Sequence, residues 1–380
     1  GRRGDDTGNG IDVDRSGNVS VTGAFEGAVD FDPGAGTATR SSAGGTDIFT
    51  QRLDSGGLLS WAASLGGAGD DAGHSIGMDR SGNVYFTGEF VGTADLNPGD
   101  GSTGTVSAGQ QDAFVASLDA AGAFSWANAM GGSSTDSGRD LFVTDSGIVL
   151  VVGSYSGTAD FDPGTGITNL VSVGGTDVFV ERLNPDGSLV WATSTGGGGG
   201  DEGDGIAVDS ALGVMILGSF KSTADADPGA GTLSITSNGD SDLYVQKLDS
   251  LGSLVWAGAF GGASAESGRG VTVDASGNIY STGYFTGMVD FDPGAGEFIL
   301  TSFGREDVFV QKLSSSGAFV WAVALGGRDT DAGNGISVDS SGNVFVGGQF
   351  SDTVDLDPGA GTASATAIGL TDAFVIKLDS

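Results

Sequence analysis

The sequence contains no cysteine, one histidine and few basic residues, and each shortage excludes some chemistry. Without cysteine, the chain can form neither disulfide bonds nor thiolate metal sites. The only histidine, His74, is the one candidate for histidine-based acid or base catalysis. No apolar run approaches the roughly 20 residues that a membrane-spanning helix needs. We therefore expect no membrane insertion.

The chain is strongly acidic, with 49 aspartates and glutamates against 15 lysines and arginines, for a formal net charge of -34. Such a surface repels nucleic acid and anionic lipid and attracts cations. We expect cations and no nucleic acid among its partners. The chain begins GRRGDD, without a methionine or an apolar signal segment, which indicates a piece of a longer parent chain.

Glycine is abundant, at 72 of 380 residues, and it belongs to a motif of the form DxDPGxG that recurs every 65 residues. The prolines of this motif are Pro33, Pro98, Pro163, Pro228, Pro293 and Pro358. The tryptophans keep the same step and are Trp61, Trp126, Trp191, Trp256 and Trp321. The sequence thus predicts one domain of six repeats, about 1–65, 66–130, 131–195, 196–260, 261–325 and 326–380. The sixth repeat lacks the tryptophan segment.

Within a repeat the pattern is that of strands, with short alternating runs broken by turn residues. In the last repeat, GISVD (335–339), VFVGGQF (344–350) and DAFVIKL (372–378) read as three strands, and AFVWAVAL (318–325) supplies a fourth. Four short antiparallel strands repeated radially are typical of a β-propeller blade, and a solenoid of sheets is the second interpretation. We predict an all-β, six-bladed β-propeller of four-stranded repeats, with a last blade that lacks its outer strand.

The blocks GISVDSSGNVFVGG and DAFVIKLDS, with GAFVWAVALGG of the repeat before, resemble the SBBP-type β-propeller repeats of bacterial exported proteins. The resemblance extends over all six repeats. It implies a propeller fold, an extracellular or cell-surface location and membership in a larger protein. It implies no general catalytic activity.

The DxDPGxG loop carries candidate calcium ligands. On an extended strand, Asp30 and Asp32 would share one side at roughly 7 Å, and at an effective dielectric of about 20 their charges repel by about 2 kcal/mol. Ca²⁺ would relieve this repulsion, because it binds carboxylate and carbonyl oxygens in flexible loops. Asp47, at the start of the third strand, is a candidate third ligand if the loop folds back as a hairpin. Over six repeats the candidate ligands are Asp30, Asp32, Asp47, Asp95, Asn97, Asp112, Asp160, Asp162, Asp177, Asp225, Asp227, Asp242, Asp290, Asp292, Asp307, Asp355, Asp357 and Asp372.

The loop aspartates have a second interpretation, in which they cap backbone amides of a Pro-Gly turn. Two further acidic series flank the first strand, and for both we expect turn capping. The series before the strand is Asp6, Asp71, Asp136, Asp201, Glu266 and Asp331. The series after it is Asp14, Asp79, Asp209, Asp274 and Asp339. We expect the tryptophans to pack between neighbouring blades.

A single binding site should involve positions where the repeats differ. Two such positions, before the first strand and within the second, give the candidate binding residues His74, Arg139, Arg269, Glu89 and Tyr284. In a propeller they would lie near the mouth of the central channel. No cysteine nucleophile is present and no G-x-S-x-G elbow stands between a strand and a helix. We therefore do not expect an enzyme.

Together these observations predict a non-catalytic, exported or cell-surface scaffold or interaction module, stabilised by Ca²⁺ in its DxDPGxG loops. Three alternatives stay open: a lectin-like propeller that binds glycans, a polysaccharide hydrolase or lyase at the channel mouth, and a subunit of a surface layer or fibre. The expected partners are calcium ions, with another protein, a glycan or further domains of the parent chain as alternatives.

Overall fold

The computed structural model describes residues 6–99 and 104–379, and within these ranges the chain consists of β-strands and turns. The predicted all-β fold class is confirmed. In the same ranges, no helix is long and apolar enough to cross a membrane.

The strands recur with the period of the sequence. Those of the first three repeats are β1 (Thr7–Val13), β2 (Val19–Asp30), β3 (Thr39–Leu53), β4 (Leu59–Gly67), β5 (Ala72–Met78), β6 (Val84–Phe90), β7 (Thr93–Asp95), β8 (Gly104–Val106), β9 (Asp112–Leu118), β10 (Phe124–Gly132), β11 (Ser137–Val143), β12 (Val149–Asp160), β13 (Asn169–Leu183) and β14 (Leu189–Gly197). Those of the last three are β15 (Glu202–Val208), β16 (Val214–Phe220), β17 (Thr223–Asp225), β18 (Ser234–Thr236), β19 (Asp242–Leu248), β20 (Leu254–Gly262), β21 (Ser267–Val273), β22 (Ile279–Asp290), β23 (Ile299–Leu313), β24 (Phe319–Gly327), β25 (Ala332–Val338), β26 (Val344–Phe350), β27 (Thr353–Asp355), β28 (Ser364–Thr366) and β29 (Asp372–Leu378).

The chain forms two compact units, one made of the residues up to Ser172 with Val178–Ser194, the other of Val173–Asp177 with the residues from Thr195 onward. The boundary between them runs through β13 and β14. In the first unit, β1 to β4 form an antiparallel meander, and β5, β6, β9 and β10 form the next. In the second unit, β15, β16, β19 and β20 pair in this order, as do β21 to β24. The sixth repeat contributes the three-stranded sheet β25, β26 and β29.

Each repeat also contains a small outer hairpin, which the sequence did not predict. After a residue with positive φ, such as Gly92 (74°), the chain of the second strand continues into a short segment, which is β7 in the second repeat. This segment pairs with another that precedes the third strand, which is β8 in the second repeat. The last two residues of β4 join this hairpin in the next repeat, because Gly66 pairs with Asp95 and Gly67 with Ala94. The fourth strand of one repeat thus leads directly into the next repeat.

Apolar packing between consecutive repeats forms the core. In the first unit, Ile48 and Leu65 of the first repeat pack with Ile76, Val84 and Phe86 of the second, and all five are at most 5% exposed. Full burial of such a side chain contributes about 1.5–3 kcal/mol relative to exposure. The stability of one repeat therefore depends on its neighbour.

In the second unit the same packing joins the fifth and sixth repeats, where Val308 and Val310 contact Val344 and Val346. The third strand of the sixth repeat is more exposed, and Val375 is 80% exposed although the equivalent Val310 is fully buried.

The tryptophans link neighbouring repeats. Trp126 Nε1 donates to the carbonyl oxygen of Pro185 at 2.9 Å, in the turn between the third and fourth strands of the next repeat. Its ring covers Gly187 of that turn so closely that a Cβ there would lie 2.8 Å from the ring. Trp61 and Trp256 donate to the equivalent turns. Packing between repeats, expected for the tryptophans, is confirmed at these three.

Candidate functional site

The predicted calcium loop begins where the second strand ends. β2 stops at Asp30, so Asp32 lies in the following turn. Asp30 Oδ1 accepts the amides of Asp32 (3.2 Å) and Ala38 (2.7 Å), and Asp32 Oδ1 accepts the amide of Gly34 (2.7 Å). The bonds from Ala38 and Asp32 lower the pKa of Asp30. The expectation of a continuous extended strand through both aspartates is therefore wrong, and the turn-capping interpretation describes their contacts.

The other loops repeat these bonds. The residues concerned are Asp95 and Asn97, Asp160 and Asp162, Asp225 and Asp227, Asp290 and Asp292, and Asp355 and Asp357. Asn97 Oδ1 accepts the amide of Gly99 at 3.0 Å, just as the aspartates do in their loops. A neutral side chain therefore serves this turn as well as a charged one, and calcium in the loops stays a prediction.

The proposed third ligand of the loop lies elsewhere. Along the β2–β3 ladder Asp30 pairs with Thr39, whereas Asp47 pairs with Phe25, five residues before Asp30 on β2. At about 3.3 Å per residue this places the two aspartates roughly 16 Å apart. The structure therefore does not bring Asp47 to the loop pair, nor its equivalents Asp112, Asp177, Asp242, Asp307 and Asp372 to theirs.

Asp47 instead meets a second buried carboxylate, Asp71. Its Oδ2 accepts the amide of Ala43 at 2.9 Å, but its Oδ1 is buried without a hydrogen-bond partner. A Cβ placed on Gly66 would lie 2.9 Å from Asp47 Oδ1 and 2.7 Å from Asp71 Oδ2, so these oxygens are less than about 6 Å apart. Asp47 is 3% exposed and Asp71 is fully buried. The two acids thus form a buried carboxyl pair.

Asp71 holds three separate segments together. Its Oδ2 accepts the amide of Gly67 at 2.7 Å, its Oδ1 accepts that of Val91 at 2.9 Å, and its own amide donates to the carbonyl oxygen of Thr46 at 2.8 Å. These groups belong to the end of β4, the segment after β6, and β3. The expectation that this series only caps turns is therefore wrong, because the carboxylates of Asp71, Asp136, Asp201 and Asp331 each also accept an amide about 20 residues further along the chain.

The buried pair occurs five times among the described residues. The pairs are Asp47 with Asp71, Asp112 with Asp136, Asp177 with Asp201, Asp242 with Glu266, and Asp307 with Asp331. In all five, Oδ1 of the third-strand aspartate is buried without a hydrogen-bond partner, and in the fourth pair Glu266 Oε1 is too. The sixth aspartate of the series, Asp372, is half-buried and has no such second acid after it in the sequence.

Burial raises the pKa of these acids. In the first pair it raises the pKa of Asp47 to about 6 and also raises the pKa of Asp71. In the others it raises the pKa to about 6 for Asp112 and Asp201, about 7 for Asp177 and Asp307, and about 8 for Glu266. Further charges close to the pairs are few: Asp70 faces Asp71, and Asp329 faces Asp331.

The energetic cost of leaving the pairs ionised is large. Two full charges about 5.5 Å apart repel by about 3 kcal/mol at an effective dielectric of about 20. Five such pairs would together cost about as much as the whole stability of a typical domain, roughly 5–15 kcal/mol. A proton or a cation would relieve this repulsion in each pair.

Three of the candidate binding residues come together in the first unit. His74 Nε2 lies 3.9 Å from Glu89 Oε1. Burial lowers the pKa of His74; the charge of Glu89 opposes this shift, and the charge of Arg139 adds to it. The structure thus places His74, Glu89 and Arg139 within electrostatic reach of one another.

The other two lie in the second unit, where the guanidinium of Arg269 stands 5.3 Å above the ring of Tyr284 and donates to Asn334 Oδ1 at 2.8 Å.

The residues around His74 also spell GHSIG (73–77), which fits the letters of a nucleophile-elbow motif. The segment lies inside strand β5, however, whereas a nucleophile elbow needs a sharp turn between a strand and a helix. The hydroxyl of Ser75 donates to Asp140 Oδ1 at 2.7 Å. This geometry gives Ser75 an acceptor on the neighbouring repeat and provides no elbow.

Comparison with known proteins agrees with the architecture. Residues 320–349 match the family model described as SBBP, a beta-propeller repeat. This segment carries a β-propeller repeat of the SBBP type. The match covers the end of the fifth repeat and the start of the sixth, including β24, β25 and most of β26.

Two curated proteins are similar over longer stretches of this chain. An uncharacterized WD repeat-containing protein of Acanthamoeba polyphaga mimivirus is 24% identical over 404 residues, which cover 90% of this chain and 29% of that protein. The regulatory protein FlaEY of Caulobacter vibrioides is 28% identical over 264 residues, which cover 67% of this chain and 25% of that protein. The chain spans less than a third of the length of either relative.

The buried pairs cannot be read from the sequence, although both members are periodic acids. In the sequence they form separate series, because Asp47 and Asp71 stand on either side of β4. The signal that joins them is the Gly-Gly at the end of the fourth strand, where Gly66 leaves room for both carboxyl groups. A second residue that the sequence does not point out is Glu181, which is fully buried and lies where three other repeats have Gln51, Gln246 and Gln311.

Proposed function

We propose that the chain is a non-catalytic scaffold and protein-interaction module, a six-bladed β-propeller that acts outside the cell or at its surface and is stabilised by bound Ca²⁺. The repeated residues support the scaffold role, because the tryptophans and the acidic series are engaged in contacts within and between repeats. Export rests on the resemblance of the sequence to SBBP-type repeats of exported proteins. The similarity to a WD repeat-containing protein supports a role in interactions.

The observation that carries the interaction role is an apolar surface on the outer hairpin of the fifth repeat. Met288 and Phe303 are 64% and 68% exposed there, and Phe298 and Ile299 lie beside them at 38% and 40%. The ring of Phe298 packs on Phe319 at 4.7 Å, which holds it in place. Exposed aromatic and methionine side chains in a cluster are typical of protein interfaces.

The fourth repeat lacks this surface, whereas the third exposes Ile167, Val171 and Val173 in its own hairpin. At the equivalent positions the fourth repeat has Thr223 in place of Met288 and Asn238 in place of Phe303, and both residues are exposed. The fold of the hairpin therefore does not require the apolar residues. We infer that they bind an apolar segment of a partner protein.

Photo-crosslinking tests this interaction in the cells that make the protein. A photoreactive residue at position 303 should give one dominant protein adduct, and the same residue at position 238 should not. The double variant Met288→Thr, Phe303→Asn, tested with the photoreactive residue at position 298, should lose the adduct and keep the circular dichroism spectrum, because it carries the fourth repeat's own residues. Equal labelling from both positions, or no adduct from either, would exclude this surface.

Thermal unfolding tests the calcium part separately. The melting temperature should be higher in CaCl₂ than in EGTA, with MgCl₂ as the control for ionic strength and divalent charge. An unchanged melting temperature would show that Ca²⁺ does not stabilise the protein, and it would not affect the proposed interaction role.

A further inference from the structure

We propose that the five buried carboxyl pairs, and not the DxDPGxG loops, are the Ca²⁺ sites of this chain. The inference rests on the proposed calcium stabilisation and names the residues responsible for it. Each site consists of the third-strand aspartate and the acid that follows the Gly-Gly of the fourth strand. The five pairs give five sites per chain, whereas the loops occur six times.

The first argument is the unpartnered oxygen. Oδ1 of Asp47, Asp112 and Asp307 is buried without a hydrogen-bond partner, in residues that are at most 3% exposed. A buried acceptor without a donor is costly and rare in native structures. In the first pair it is aimed at Asp71 Oδ2, less than about 6 Å away across Gly66. A cation between the two carboxyl groups would satisfy this oxygen.

The second argument is charge. Two carboxylates carry a charge of -2, which a divalent cation balances completely and a single proton only by half. Ca²⁺ prefers carboxylate and carbonyl oxygens and tolerates irregular geometry, and the chain's net charge of -34 raises its local concentration.

The third argument is variation among the repeats. All ten positions of the five pairs carry a carboxylic acid, and the one exchange, Glu266 for aspartate, keeps the charge. In that pair, Glu266 Oε1 and Asp242 Oδ1 are both unpartnered. The loop positions are less strict, because Asn97 replaces an aspartate and keeps its turn bond.

Burial is consistent with this assignment, because Asp47 and Asp71 are both buried. The loop differs, because Asp30 is exposed and its Oδ1 already accepts the amides of Asp32 and Ala38.

Equilibrium dialysis of the chelator-treated full chain against CaCl₂, in physiological salt with excess Mg²⁺, tests the proposal. We expect five Ca²⁺ bound per chain. The variant Asp112→Asn should bind four, and its matched control in the loop, Asp160→Asn, should still bind five. Circular dichroism and tryptophan fluorescence should be unchanged in both, because a single amide oxygen can accept the amide of Ala108 at position 112 and those of Asp162 and Thr168 at position 160.

Three outcomes would overturn the proposal. If the loop variant loses Ca²⁺ and the pair variant does not, the sites are in the loops and the calcium part of the proposed function survives. If the wild type binds no Ca²⁺ and shows an infrared band of protonated carboxyl at pH 7 that is lost in Asp112→Asn, the pairs share protons instead. If it binds no Ca²⁺ and lacks this band, neither the ion nor the site assignment holds.

Discussion

The clearest test of the packing account is Glu181→Gln. Glu181 lies in β13, is fully buried, and has no hydrogen-bond partner for either carboxyl oxygen. At the same station Gln246 and Gln311 are fully buried too, and each donates from Nε2 to a loop carbonyl at 2.7 Å, that of Ala226 or Phe291. A glutamine at position 181 should therefore donate to the equivalent carbonyl in the third repeat.

The change in the free energy of unfolding on Glu181→Gln has two parts, the hydrogen bond that the glutamine gains and the titration of Glu181 that it removes. A neutral hydrogen bond contributes about 0.5–1.5 kcal/mol net, so near pH 5, where the buried acid is protonated, the variant should gain about 1 kcal/mol or less. Burial, and then the charge of Asp162, raises the pKa of Glu181 well above its usual value. A raised folded-state pKa contributes stability that is present at low pH and lost as the pH rises through the raised pKa.

The advantage of the variant should therefore grow with pH. The increase should reach about 1.4 kcal/mol per pH unit between the ordinary glutamate pKa and the raised one. Glutamine does not titrate, so its contribution is constant over this range. Among the described residues, Asp162 is the acid whose charge acts on Glu181.

Urea unfolding followed by tryptophan fluorescence at pH 5, 6, 7 and 8 measures this difference as a shift of midpoint at constant slope. The reverse change, Gln246→Glu, should destabilise the protein, and increasingly so at higher pH. If the gain of Glu181→Gln is constant or shrinks as the pH rises, Glu181 is not a buried protonated acid. If the variant is destabilised at every pH, the assumed hydrogen bond does not form.

Three further substitutions test contacts between and within repeats. Gly187→Ala should destabilise more than Gly57→Ala in thermal unfolding, because both glycines have φ near 80° but only Gly187 lies under a tryptophan ring; equal losses would contradict packing through that ring. Trp126→Phe keeps a ring and removes the donor to the next repeat, and should lower the free energy of unfolding by about 0.5–1.5 kcal/mol in urea titrations; no loss would show that the bond is unimportant. Ser222→Gly should stabilise by up to about 1 kcal/mol, because Ser222 has φ of 64° where four repeats carry glycine; calorimetry that finds destabilisation would contradict strain at this position.

The strands of the repeat could be predicted from the sequence because their signals are local. Alternating apolar residues bounded by turn residues place the second and third strands of the last repeat at Val344–Phe350 and Asp372–Leu378, the bounds that the structure has. The outer hairpin could not be predicted in this way. Its strands β27 and β28 have only three residues each, and they are held by pairing with the end of β24 in the preceding repeat.

The site illustrates the same limit. The sequence identified Asp47 as a ligand candidate and Asp71 as a turn cap, and neither assignment could anticipate that the two meet. Their contact depends on the β3–β4 ladder, in which Ile48 pairs with Leu65 and so returns the chain to the start of the third strand. The sequence shows that each acid recurs periodically. Contact between the two acids depends on the register of β4, the strand that lies between them.

The acids of this chain fall into two groups. Some can be replaced by a neutral hydrogen-bond acceptor in another repeat, and the others are acidic in all the repeats that contain them. A turn cap needs only an oxygen near the backbone: Asn97 replaces an aspartate in one loop, and Thr144 replaces one after a first strand, where its Oγ1 accepts the amide of Ile148 at 2.9 Å. The buried pairs accept no such replacement, although an amide or hydroxyl would remove the repulsion that burial makes so costly. A neutral residue would be the simpler solution for folding alone. That all ten positions keep the acid therefore argues that the charge is used, and that the folded protein binds a counter-ion there.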